Sequence, residues 1–76
     1  MLTTGDLVRI KDTAFKYFAG KLAVVDHTAF REEFFDTDGK LHHRTYYLIT
    51  LAGTSDSHVF ADHDLVLVSK AHERND

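Results

Sequence analysis

The chain has 76 residues, with 12 acidic and 9 basic side chains, a formal net charge of −3 and 43% hydrophobic residues. That is one small domain with enough apolar content to fold, although a chain this short buries only about 60% of its unfolded surface. The absence of cysteine excludes a disulfide, a thiolate zinc site and a thiol nucleophile, and is compatible with the reducing cytoplasm expected as its location. No run of about 18 apolar residues exists, so no membrane insertion is expected. Residues 1–6 lack the basic-then-apolar pattern of a signal peptide. The mild acidity disfavours a general phosphate-backbone binder, which is normally basic.

With no proline, the four glycines, Gly5, Gly20, Gly39 and Gly53, punctuate the chain,. Leu7-Val8-Arg9-Ile10 follows Gly5-Asp6 and reads as a first strand,. Residues 11–19 read as a loop carrying Phe15, Tyr17 and Phe18. Residues 21–27 form a second strand, and their continuous apolar run suggests burial on both faces,. Residues 28–35 either extend that strand or break away as a short irregular piece. Asp36-Thr37-Asp38-Gly39 is a turn, because Asp caps its own backbone and Gly tolerates positive φ,.

Residues 41–51 read as a third strand, with Tyr47, Ile49 and Leu51 on one face and Tyr46, Leu48 and Thr50 on the other,. After a small polar turn, His58-Val59-Phe60 is a short fourth strand, Asp62-His63-Asp64 a single helical turn and Leu65-Val66-Leu67-Val68 a fifth strand,. Residues 13–17 and 30–36 can alternatively be read as short helices, but helices of that length are marginal in water. The expected organisation is one domain over residues 1–70 and a polar tail over 71–76 that frays. The fold class is all-β: a five-stranded SH3-like small barrel with a long hairpin insertion and a short helical turn before the last strand.

The segments Gly5-Asp6-Leu7-Val8-Arg9-Ile10, Phe15, Tyr17 and Gly20-Lys21-Leu22-Ala23-Val24-Val25-Asp26 resemble the KOW type of SH3-like segment found in transcription elongation factors and ribosomal proteins. Together with that opening, Tyr46-Tyr47-Leu48-Ile49-Thr50-Leu51 and Phe60-Ala61-Asp62-His63-Asp64-Leu65-Val66-Leu67-Val68 are also similar to the small stromal accessory subunit of photosystem I and related electron-transport accessory proteins. The first resemblance implies a nucleic-acid or ribosome-associated module, and the second an accessory subunit of a larger complex. Both rest on barrel-forming residues, and unrelated functions share this scaffold.

Six histidines are the first candidates for chemistry. His42 and His43 are adjacent and point to opposite faces of a strand, so they do not jointly ligate one metal. His58 and His63 with Asp62 or Asp64 would suit zinc or nickel by ligand type, but their spacing matches no metal motif, and no metal is expected. The Asp36 turn echoes the start of a calcium loop, yet position 12 of such a loop would be Tyr47 rather than Glu,. Ser55, Ser57 and Ser69 lie in no nucleophile context, and no Gly-rich phosphate loop is present,. A filled small barrel also leaves little room for a pocket of about 300–1,000 Å³. No enzyme activity and no cofactor are expected.

The nine aromatics, six Phe and three Tyr, exceed what so small a core can bury. Phe15 and Phe60 are expected to cap the barrel ends. Tyr17, Phe18, Phe34, Phe35, Arg44 and Tyr47 are the candidate partner-binding residues, displayed by the first loop and the hairpin. The leading expectation is a non-catalytic protein-binding accessory module. The alternative is a KOW-like nucleic-acid-binding module that uses Arg9, Lys11, Lys16 and Lys21 around the first loop. Self-association through an exposed strand edge is a further expectation.

Overall fold

The computed structural model describes residues 1–12 and 15–73, so the part of the possible 13–17 helix at residues 13–14 and the end of the expected tail at 74–76 lie outside the described residues. Five strands form the body: β1 (Leu7–Ile10), β2 (Leu22–Phe35), β3 (Leu41–Leu51), β4 (Ser57–Ala61) and β5 (Leu65–Ser69). Single 3₁₀ turns occupy Lys16–Phe18, Asp62–Asp64 and Ala71–Glu73. No helix among the described residues is long and apolar enough to cross a membrane.

The strands make one antiparallel sheet in the order β4-β3-β2-β1-β5, which leaves β4 and β5 as its two edges. Residues 28–35 extend the second strand instead of breaking away, and β2 runs for 14 residues. The Phe30 region is therefore strand, because cross-strand pairing with β3 overrides a weak local preference,. β2 has two register shifts, between Val25 and His27 and between Thr28 and Phe30. Each inserts an extra residue that bends and twists the strand. Asp26, at the first shift, is tied down by the Thr50 hydroxyl (2.6 Å) and by the Thr4 hydroxyl on its carbonyl (2.9 Å).

Among the described residues the β1–β2 ladder covers Leu22, Ala23 and Val24, with Val25 bonded on to Gly5 and Asp6, and the β4–β3 ladder runs from Tyr46 to Thr50. Toward the Asp36 turn, residues 31–35 of β2 and 41–45 of β3 pair, among the described residues, with each other alone, as a two-stranded arm of a molecule whose longest dimension is 45 Å. The Asp36 turn closes it. The Asp36 carboxylate accepts the N–H groups of Asp38 (2.8 Å) and Lys40 (3.0 Å), and Gly39 supplies a φ of +80°,.

The core consists of Val8, Ile10, Ala23, Val25, Tyr47, Ile49, Leu51, Phe60 and Leu65, with Leu2 and Phe18 packed against it. Tyr47, Ile49 and Leu51 face inward as the period-two pattern requires,. The second strand is not buried on both faces: Ala23 and Val25 are inside, Val24 is half-buried and Leu22 is exposed. One face of an antiparallel sheet commonly stays wet, so an apolar run here does not imply a double-sided core. Phe15 does not cap the core. It is 66% exposed and meets Phe60 edge-on, with ring centres 6.0 Å apart.

The one buried charged residue among those described, Asp6, ties the two ends of the chain together. Its carboxylate accepts the N–H groups of Thr3 (2.8 Å) and Ala71 (2.9 Å), the Thr3 hydroxyl (3.2 Å) and the Lys70 ammonium (2.9 Å). Burial alone would raise its pKa. The Ala71, Lys70 and Thr3 hydrogen bonds and the Lys70 charge outweigh burial and hold the carboxyl well below the usual carboxylate range,. The start of the expected tail is thus ordered, since Ala71 opens a 3₁₀ turn and its N–H is spent on Asp6.

Candidate docking surface

Sequence alternation places Phe30, Glu32 and Phe34 on one face of the arm, opposite Tyr46, Arg44 and His42 respectively,. These pairs form a continuous ladder. Phe30 stacks on Tyr46 (4.4 Å between centres, 19° between planes), and Phe34 stacks on His42 (5.4 Å, 18°). Between them the Arg44 guanidinium lies 4.8 Å from the centre of the Phe34 ring and 4.0 Å from Glu32,. The Tyr46 hydroxyl donates to Glu32 (3.3 Å). Arg44 is pushed above its ordinary pKa by the Tyr46 side chain first, against burial and with help from Glu32 and Asp62. At the tip, His42 Nε2 meets Asp36 Oδ2 at 2.6 Å. That contact and the Lys40 N–H hold the Asp36 carboxyl below its ordinary value.

Where the arm joins the body, the ladder opens into a groove of about 490 Å³ lined by Phe15, Phe30, Tyr46, Val59, Phe60 and Ala61 together with Arg44, His63 and Asp64. Nearby rings extend the aromatic surface. Phe18 packs between His58 (4.6 Å) and Phe60 (5.4 Å), and Tyr17 sits edge-on to Phe18 (4.9 Å). The opposite face of the arm carries Arg31, Glu33 and Phe35 against Thr45, His43 and Leu41. His43 pairs with Glu33 there at 3.4 Å.

Of the expected partner-binding residues, Phe34 and Arg44 come together on the ladder, and Tyr17 and Phe18 come together on the 3₁₀ turn. Phe35 is exposed on the other face of the arm, beside Leu41. Tyr47 is 2% exposed and belongs to the core, so it is not a surface residue. Its inward position follows from the same alternation that places Ile49 and Leu51 inside. Phe30, Tyr46 and Phe15 are the surface residues the sequence reading missed. The register of the hairpin was the available signal. Closing it at Asp36–Lys40, where the Asp36 N–H bonds the Lys40 carbonyl (3.0 Å), sets Phe34 opposite His42 and Phe30 opposite Tyr46,.

The basic residues Arg9, Lys11, Lys16 and Lys21 are all exposed, and the Lys21 ammonium lies 4.9 Å from the centre of the Tyr17 ring. His58 packs on Phe18, and His63 sits between Asp62 (3.9 Å) and Asp64 (3.4 Å). Among the described residues no three His, Asp or Glu side chains converge as a metal site. No protein-family model, no curated protein and no solved structure matches the chain.

Proposed function

We propose that this chain is a non-catalytic protein-binding module on a small SH3-like barrel scaffold, an accessory component that docks onto a larger complex through aromatic side chains of its first loop and arm. One observation carries this reading: Phe15, Tyr17, Phe30 and Phe35 are each at least half exposed, in a chain with only nine aromatics. Rings interleaved with arginine are what the buried centres of protein interfaces are made of. A groove flanked by such rings gives a partner's apolar side chain somewhere to go. The test is affinity purification from host extracts with the wild-type chain and with a Tyr17→Ala, Phe34→Ala, Phe35→Ala variant. A stoichiometric protein recovered by the first and lost by the second, at equal far-ultraviolet circular dichroism, is the expected result. Recovery of no such protein, or equal recovery by both, removes the reading.

A KOW-like nucleic-acid- or ribosome- or transcription-associated module is the second reading. It is favoured by the Lys21–Tyr17 contact within the Arg9, Lys11, Lys16 and Lys21 group, since single-stranded nucleic acid is bound by rings and cations together. It requires RNA or DNA retardation that falls steeply with salt. No retardation at low salt eliminates it.

A further inference from the structure

We propose that the β4 edge takes a basic, extended segment of a partner protein as an added strand, which rests on the protein-docking reading and gives that partner its chemistry. β4 ends the sheet and is bonded on one side only, to β3. The Leu51 N–H donates to the Asp56 carbonyl (2.9 Å), which fixes the alternation along this ladder. His58 and Phe60 direct their backbone groups at β3, while Ser57 and Val59 direct theirs away from the sheet,. Among the described residues no hydrogen bond occupies those outward N–H and carbonyl groups. Both residues are exposed, Val59 by 44%. β4 carries no proline, no lysine and no register shift, which are devices that guard an exposed strand,.

The occupant follows from the groove and the charge beside this edge. A strand laid on β4 runs along the aromatic groove, whose lining includes Val59, Phe60 and Ala61 of β4 itself. Every second side chain of that strand shares the face of Val59, which also holds Tyr46 and Phe30,. Apolar residues at those positions pack on the rings, while the backbone bonds supply affinity. Charge sets the flanks. Residues 52–69 include Asp56, Asp62 and Asp64 and no lysine or arginine. Asp56 precedes β4 and Asp62 follows it. Among the described residues nothing pairs with the Asp56 carboxylate. Arg44, the arginine of the groove, is already engaged by Glu32 (4.0 Å) and the Phe34 ring (4.8 Å), and His63 lies between Asp62 and Asp64. An apolar centre flanked by lysine or arginine therefore complements the edge. A second copy of this chain would instead bring the same aspartates to it.

The test uses the whole chain, labelled with nitrogen-15. The probe is a capped heptapeptide with lysine at both ends and valine and threonine alternating between them, valine first. Nuclear magnetic resonance titration to about 2 mM peptide should shift the Ser57 and Val59 amides most and give a Kd below about 1 mM, about tenfold tighter than for the same peptide with glutamate ends. That difference should shrink as salt is raised. Methylating the valine nitrogens of the peptide removes its pairing donors and should abolish binding. Val59→Pro removes only an outward N–H, which an edge strand tolerates, and should weaken the lysine peptide about tenfold or more. Val59→Thr keeps that N–H and should change binding by less than about threefold. Absence of shifts at the β4 amides, equal binding of the methylated peptide, equal or tighter binding of the glutamate peptide, or a wild-type dimer in sedimentation equilibrium that Val59→Pro dissolves overturns the proposal. A host protein captured by the wild type, lost by the Tyr17→Ala, Phe34→Ala, Phe35→Ala variant and retained by Val59→Pro also overturns it, and leaves docking through the rings standing.

Discussion

Replacing Asp6 with asparagine isolates the linkage that holds the chain ends together. The carboxylate is fully buried and accepts the Thr3 and Ala71 N–H groups, the Thr3 hydroxyl and the Lys70 ammonium. An amide keeps one acceptor oxygen but turns the other position into a donor, aimed at groups that are themselves donors. Breaking a buried charge pair costs about 3–5 kcal/mol. Lys70 is 19% exposed and can recover some hydration, so a loss of about 2–4 kcal/mol is expected for Asp6→Asn. A chain of 76 residues has about 4–11 kcal/mol in total. With a urea slope near 1 kcal/mol/M, the midpoint at pH 7 should fall by about 2 M or more. Tyrosine fluorescence can follow unfolding, since the chain has three Tyr and no Trp. The folded-state pKa of Asp6 lies below the ordinary 3.8, so its stabilisation is fully present above that value and is lost as pH falls below it. From this group alone the wild type should lose about 1.4 kcal/mol per pH unit in that acid range. The gap between wild type and Asp6→Asn must therefore narrow from pH 5 to pH 2. A gap constant over that range, or midpoints that coincide at pH 7, would refute the reasoning.

Tyr47 fills the core as a ring, so Tyr47→Ala should cost about 3–5 kcal/mol while Tyr47→Phe stays within about 1 kcal/mol, as urea denaturation of each will show. Two glycines at positive φ should respond differently to alanine. Gly39→Ala meets no atom within 4 Å and carries only the backbone penalty of about 1 kcal/mol,. Gly5→Ala adds a contact at 3.0 Å with Ala71 Cβ to a φ of +88° and should lower the thermal midpoint more than Gly39→Ala does. Equal midpoints for those two variants would mean that the approach of residue 71 to Gly5 carries no energy.

Local chemistry alone located the strands. The apolar run at Leu65-Val66-Leu67-Val68, the Asp36–Gly39 turn and the inward set Tyr47, Ile49 and Leu51 all follow from propensity and a period of two,. The same alternation, followed through, would have put Tyr47 inside instead of among the surface candidates. The exposure of Phe15 and the single-sided burial of β2 were not legible, because neither ring size nor apolar content tells which face of a sheet another element will cover. Nor could sequence separation show that Asp6 meets Lys70 and Ala71 more than 60 residues away. That contact exists because β1 and β5 lie side by side in the sheet, and strand order is decided by long-range pairing after the local pattern has done its part.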